Sequence, residues 1–240
     1  MSKPERLRRT LFVLISSLLL LAGAYYESKK QPAPAYIQPE AGTAASAESE
    51  AASSALQSIE EKGRAPKTGY SRSQFGQGWG DVGGCDVRNL VLARDLANEQ
   101  IAENGCEVVS GQLRDPYTAL LIDFKRGAGT SDDVQIDHVV ALSDAWQKGA
   151  QYKSADERVR LANDPLNLLA VDGKANQQKG DSDAASWLPP NKPYRCQYVA
   201  RQIAVKKKYG LWMTKAEKDM SKRVLNTCPA QRLPVEASVQ

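Results

Sequence analysis

Histidine is almost absent from this 240-residue sequence; His138 is the only one. Four cysteines are present but none at C-x-x-C spacing. With a single imidazole beside them, they do not make the sulfur and nitrogen set of a structural zinc site. The G-x-S-x-G elbow of serine hydrolases is also missing. On a regular strand neighbouring side chains face opposite ways, so Asp137 is poorly placed to orient His138 as a triad aspartate would. No repeat recurs along the chain, which sets aside solenoids and propellers. The longest apolar run, Leu11 to Ala24, falls short of the roughly 20 residues of a comfortable membrane span.

What is present is ordinary in bulk and uneven in placement. Hydrophobic residues make up 42% of the chain and charged residues 25%, the balance of a folded globular protein, and the length suits one domain with extra segments. A net charge of +4 is a weak pointer to a polyanionic partner. Its distribution says more: nine Lys or Arg lie from Arg195 to Arg223 against Glu217 and Asp219, a local +7. At the other end Lys3, Arg6, Arg8 and Arg9 precede the apolar run, which closes on Ala22-Gly23-Ala24. A positive start, a short apolar stretch and a small-x-small site predict export. Residues 1–26 therefore read as a signal peptide, or as an N-terminal membrane anchor if Tyr25 and Tyr26 extend the run at the interface. Both put the remainder outside the cytoplasm, secreted or anchored at the cell surface. An even cysteine set in an exported chain predicts two disulfides. Sequence leaves all three pairings of Cys85, Cys106, Cys196 and Cys228 open. The near-neighbour pairing, Cys85–Cys106 and Cys196–Cys228, is the one expected, since each pair brackets helical sequence.

Residues 27–64 are rich in Ala, Ser, Pro, Gln and Glu and read as a flexible tether, because such a stretch buries too little to offset its ordering entropy. Within it, residues 51–62 favour helix but carry no wide apolar face. The folded domain is expected over 65–230, with a tail over 231–240. Apolar periodicity predicts helices over 89–98, 143–148, 154–162, 174–181, 194–208 and 214–225. Strands are predicted over 106–109, 117–124, 134–142 and 166–171. The class is α+β.

The chemistry-bearing residues lie in order between Gln135 and Asp183: Ile136-Asp137-His138-Val139-Val140 on a strand, Asn167 opening a second strand, then Asn176 and Lys179 on a helix. A lone His beside an Asp is ordinarily a structural contact, and each asparagine alone an unremarkable surface amide; the ordered set is what carries weight. Phosphodiester hydrolysis needs a base to activate water, a hard cation to neutralise the phosphate, and a group to orient the base. His138, with an unperturbed pKa of about 6.5, suits the base. Asp137 and Asn176 offer hard oxygens of the kind that Mg²⁺ takes alongside its own waters, and Asn167 suits the orienting role.

These stretches, with Gly84-Cys85-Asp86-Val87-Arg88-Asn89 and Asp115-Pro116-Tyr117, resemble the HNH nuclease superfamily. More closely, they resemble its family related to the C-terminal domain of the GmrSD restriction endonucleases, many of whose members are short exported proteins. The resemblance covers about Tyr70 to Cys228. It implies a ββα-metal core with flanking helices, His138 as general base, Asn167 orienting it, and Asp137 and Asn176 as metal ligands. Oxygen donors at both ligand positions imply Mg²⁺ or Mn²⁺ rather than Zn²⁺. Lys179 and Arg88 are candidates for the substrate phosphate. The expected function is an exported metal-dependent endonuclease acting on DNA, or alternatively on RNA, leaving 5′-phosphates, with no protein partner predicted. The alternative is a non-catalytic secreted module of the same fold, binding nucleic acid or wall polymer through its basic C-terminal helices.

Overall fold

Local sequence accounts for most elements in residues 49–234, the part of the chain that the computed structural model describes. The expected signal or anchor, the first part of the tether and the end of the tail lie outside those residues. Four of the helices begin on a side-chain cap that satisfies an otherwise orphaned amide. Asp86 caps α2 (Val87–Asp95), and Ser154 with Glu157 forms a reciprocal capping box on α4 (Ala155–Asn163). Asp172 caps α5 (Gly173–Lys179) and Thr214 caps α7 (Lys215–Leu225). Between them lie α3 (Leu142–Gln147) and the longest helix among the described residues, α6 (Arg195–Lys208).

The strands form three small antiparallel sheets. A two-residue ladder pairs β1 (Asp81–Val82) with β2 (Cys85–Asp86). A three-stranded sheet has the order β3 (Ala97–Ile101), β4 (Val108–Arg114), β5 (Leu121–Lys125). The third pairs β6 (Val134–His138) with β7 (Leu168–Asp172), setting Asp137 opposite Leu169 and His138 opposite Leu168. Helices α3 and α4 are inserted between these two strands, and α5 follows β7 at once, so β6, β7 and α5 form a strand–strand–helix unit. Its closure depends on one glycine. A Cβ at Gly173 would lie 2.0 Å from the Asp132 carbonyl oxygen, and the Gly173 amide donates to Asp133 O at 3.0 Å.

The mixed α and β composition agrees with expectation, whereas the tether and several boundaries need correction. Residues 49–64 belong to the folded body. Ala52–Ser58 forms α1, and Ala52, Ala55, Leu56 and Ile59 are buried in one core with α6 residues Val199, Ala200 and Ile203. Two alanines let the backbones approach closely, so a narrow stripe of small residues does what a wide apolar face was expected to do. The described part of the tail is also paired: Ala51 bridges Arg232, and Leu233 N donates to Glu50 O at 2.9 Å. The predicted first helix stops at Asp95 because Asn98 takes a left-handed conformation (φ 54°) and the polar run after it pairs with β4. That strand has no apolar alternation to betray it. Both disulfides have the expected pairing, Cys85–Cys106 and Cys196–Cys228. Among the described residues no helix is long and apolar enough to cross a membrane.

Candidate active site

Strand β6 stays regular through His138, and its alternation decides the site. Val134 and Ile136 bury themselves against α2 and the three-stranded sheet, while Gln135 and Asp137 turn toward α5. Asp137 and His138 therefore serve two different environments.

On the Asp137 side the carboxylate is buried. Lys179 Nζ donates to its Oδ1 at 2.8 Å and to the His138 carbonyl at 2.9 Å, while the Tyr117 hydroxyl donates to Oδ2 at 2.5 Å. Burial raises the Asp137 pKa above its ordinary value, and the Lys179 charge opposes that rise. Burial and the facing carboxylate together push the Tyr117 phenol well up, so it stays protonated as a donor. One helical turn back from Lys179, Asn176 lies on the same face of α5, but its amide nitrogen donates to Gln135 Oε1 at 2.9 Å. The two expected ligands thus engage different side chains, Asp137 with Lys179 and Asn176 with Gln135. The ammonium of Lys179 already stands where a cation would neutralise Asp137. In this arrangement the residues do not fit Mg²⁺ or Mn²⁺. Lys179 is likewise buried rather than offered to a phosphate.

On the other side His138 Nε2 lies 2.9 Å from the Ala162 carbonyl at the end of α4. A carbonyl only accepts, so Nε2 carries the ring proton and Nδ1 keeps the basic lone pair. Burial lowers the His138 pKa to about 3, with Arg72 and Lys179 adding to the effect against the Ala162 bond. The imidazole is neutral across the physiological range. It borders a cleft of about 310 Å³ lined by Arg72, Ser73, Gln77, Trp79 and Ala162 among others. The Trp79 ring stacks nearly parallel to the imidazole, 5.8 Å away and tilted by 8°.

Asn167 makes no hydrogen bond to the imidazole. Its Oδ1 accepts from Val140 N at 2.8 Å, and its Nδ2 donates to Val140 O and Leu161 O, both at 3.3 Å. With its own carbonyl accepting from Val139 N, Asn167 continues the β6–β7 ladder past its end. It ties that ladder to α4 one residue before Ala162. The orienting contact therefore falls to the Ala162 carbonyl, and Asn167 acts behind it. Arg88 is half-buried near Arg126 and outside the His138 cleft; burial first, then the Arg126 charge, lowers its pKa. Arg72 and Trp79 escaped the sequence reading. Their only signal was the glycine-rich stretch, whose Gly76 (φ 107°) and Gly78 (φ 83°) fold the segment over His138. The basic C-terminal helices are largely committed internally. Lys206 is buried between Asp144 and Glu217, Arg201 donates to three backbone carbonyls, and Lys207, Lys208 and Lys215 pair with carboxylates.

Residues 86–221, more than half of the chain, match the family described as the C-terminal domain of the GmrSD restriction endonucleases. The chain belongs to that family, which places it among nuclease-related proteins. It is also 35% identical over 225 residues to a protein of Arthroderma benhamiae (strain ATCC MYA-4681 / CBS 112371) called "Uncharacterized secreted protein", covering 92% of this chain and 100% of the relative. That relative and the two disulfides agree with an extracytoplasmic location. No solved structure matches.

Proposed function

We propose that this chain is an exported HNH-type endonuclease that hydrolyses DNA phosphodiester bonds with His138 as general base. The observation that carries the reading is the tautomer of His138. The Ala162 carbonyl accepts from Nε2–H, which leaves the Nδ1 lone pair as the proton acceptor of a ring that borders an open cleft. A water at Nδ1 gives up its proton as its oxygen bonds to phosphorus, the P–O3′ bond breaks, and the departing 3′ oxygen takes a proton from solvent, leaving a 5′-phosphate and a 3′ hydroxyl. Arg72 lines the same cleft and makes no salt bridge among the described residues, so its guanidinium is free to offset phosphate charge. The β6, β7 and α5 unit corresponds to the ββα core of HNH enzymes. Lys179 provides the fixed positive charge at Asp137.

Plasmid cleavage by the full chain, by His138→Ala and by Arg72→Ala, each with Mg²⁺ and with EDTA, tests the proposal. Cleavage by the full chain and its loss in His138→Ala support it. Equal cleavage by His138→Ala overturns the assigned base, and no cleavage by the full chain with any divalent ion overturns the activity. The EDTA arm measures metal dependence separately.

A further inference from the structure

A second cleft adjoins the first across the last turn of α4. Ala162 lines the His138 cleft, and its neighbour Asn163 lines the second, together with Lys153, Arg160 and Lys208. The glycine-rich segment that lines the first cleft packs on α4 between the two. The Gly80 amide donates to Asn163 Oδ1 at 2.7 Å, and a Cβ on Gly76 would meet Val159 at 3.5 Å, so the glycine-rich segment rests on α4 at both points. Arg158 ties the base of that segment to α4 by donating to Gln74 O at 2.9 Å and Gln74 Oε1 at 3.1 Å, with no carboxylate partner.

The charge along this edge is one-sided. The residues lining the two clefts include four cations (Arg72, Lys153, Arg160 and Lys208) against two carboxylates, Glu157 and Asp164, an excess of +2. Both carboxylates are engaged: Glu157 completes the capping box with Ser154 and lies 3.7 Å from Lys153, and Asp164 accepts from Tyr209 and Leu166 and pairs with Lys208. Arg160 is exposed and forms no salt bridge among the described residues. A row of cations leading away from a hydrolytic cleft fits a polyanionic strand longer than the bond being cut.

We propose that Lys153 and Arg160 bind backbone phosphates of duplex DNA flanking the scissile bond, with the strand passing from the His138 cleft to the second cleft. This rests on the nuclease reading above and adds a path and a direction to it. Such contacts carry no sequence information, so the enzyme reads backbone rather than bases along this edge.

The test is salt-dependent binding of a short fluorescein-labelled duplex, followed by anisotropy in the His138→Ala background. Each lost phosphate contact lowers the slope of log K against log salt by about 0.9. The Lys153→Ala/Arg160→Ala pair is expected to lower it by about 1.8, and Lys222→Ala/Arg223→Ala on α7 to leave it unchanged. Binding with an unchanged slope in the first pair overturns the track while leaving the nuclease reading intact, as does a slope change confined to the second pair. No binding by the parent at any salt, together with no plasmid cleavage by the full chain, overturns both.

Discussion

Replacing Lys179 by methionine separates two accounts of this residue. The sequence pattern made it a phosphate contact, whose loss weakens substrate binding and spares the fold. The structure makes it the buried counter-charge of Asp137, at 2.8 Å with both groups shielded from solvent. Removing one partner of a buried pair leaves an uncompensated charge and costs about 3–5 kcal/mol. With a urea slope of about 2 kcal/mol per molar, the unfolding midpoint should fall by roughly 1.5–2.5 M. The deficit also carries a pH signature. Burial already raises the Asp137 pKa above 3.8, and without Lys179 it rises further. A carboxyl whose folded pKa is raised binds protons more tightly in the folded state, so stability is greatest below the unfolded value and is lost as pH rises through the folded one. The gap between variant and parent should therefore narrow on going from pH 7 toward pH 5. Urea titrations at both pH values measure it. A variant as stable as the parent, or a deficit that widens in acid, refutes the reasoning.

Three further outcomes follow from other parts of the molecule. Lys148 is fully buried within 2.7 Å of Asp144 and Asp183 and 2.5 Å of Glu217, so Lys148→Met should cost about 3–5 kcal/mol by denaturant unfolding. Burial would raise Asp144 and Asp183, but Lys206 and Lys148 beside Asp144, and Lys148 and Arg64 beside Asp183, hold both below 3.8. The stability they contribute is present above that value and lost as pH falls through their folded pKa, so parent thermal melts should decline in strong acid and change little from them between pH 5 and 8. With His138 held neutral down to about pH 3, the profile of kcat/KM should show no limb near pH 6.5, and a titration there would contradict the described environment.

How far the sequence anticipated the site depends on geometry that residue types do not encode. The cysteine pairing and the order of β6, β7 and α5 were legible, because caps, alternation and spacing are local. The division of labour between Asp137 and His138 was not. Adjacent strand positions share a site only if the strand bends, and β6 stays in register with β7 through His138. Asn176 and Lys179 lie on one helix face, so spacing alone could not say which would reach Asp137; the longer lysine does. Asn167 kept its importance but changed its partners, from the imidazole to Val140 and Leu161. The packing of helix α1 was not legible because alanine weighs little in any apolar count, although Ala52 and Ala55 are wholly buried. Trp79 and Arg72 reach the cleft through left-handed glycines, a tertiary outcome that glycine content only hints at.

The claim that His138 is the base of a hydrolytic cleft is tested most directly by single-turnover cleavage of a labelled duplex by His138→Ala, once circular dichroism shows the variant folded. General-base catalysis contributes about 10²–10⁴-fold, and the account predicts a rate loss in that range. A folded His138→Ala that cleaves as fast as the parent would contradict it.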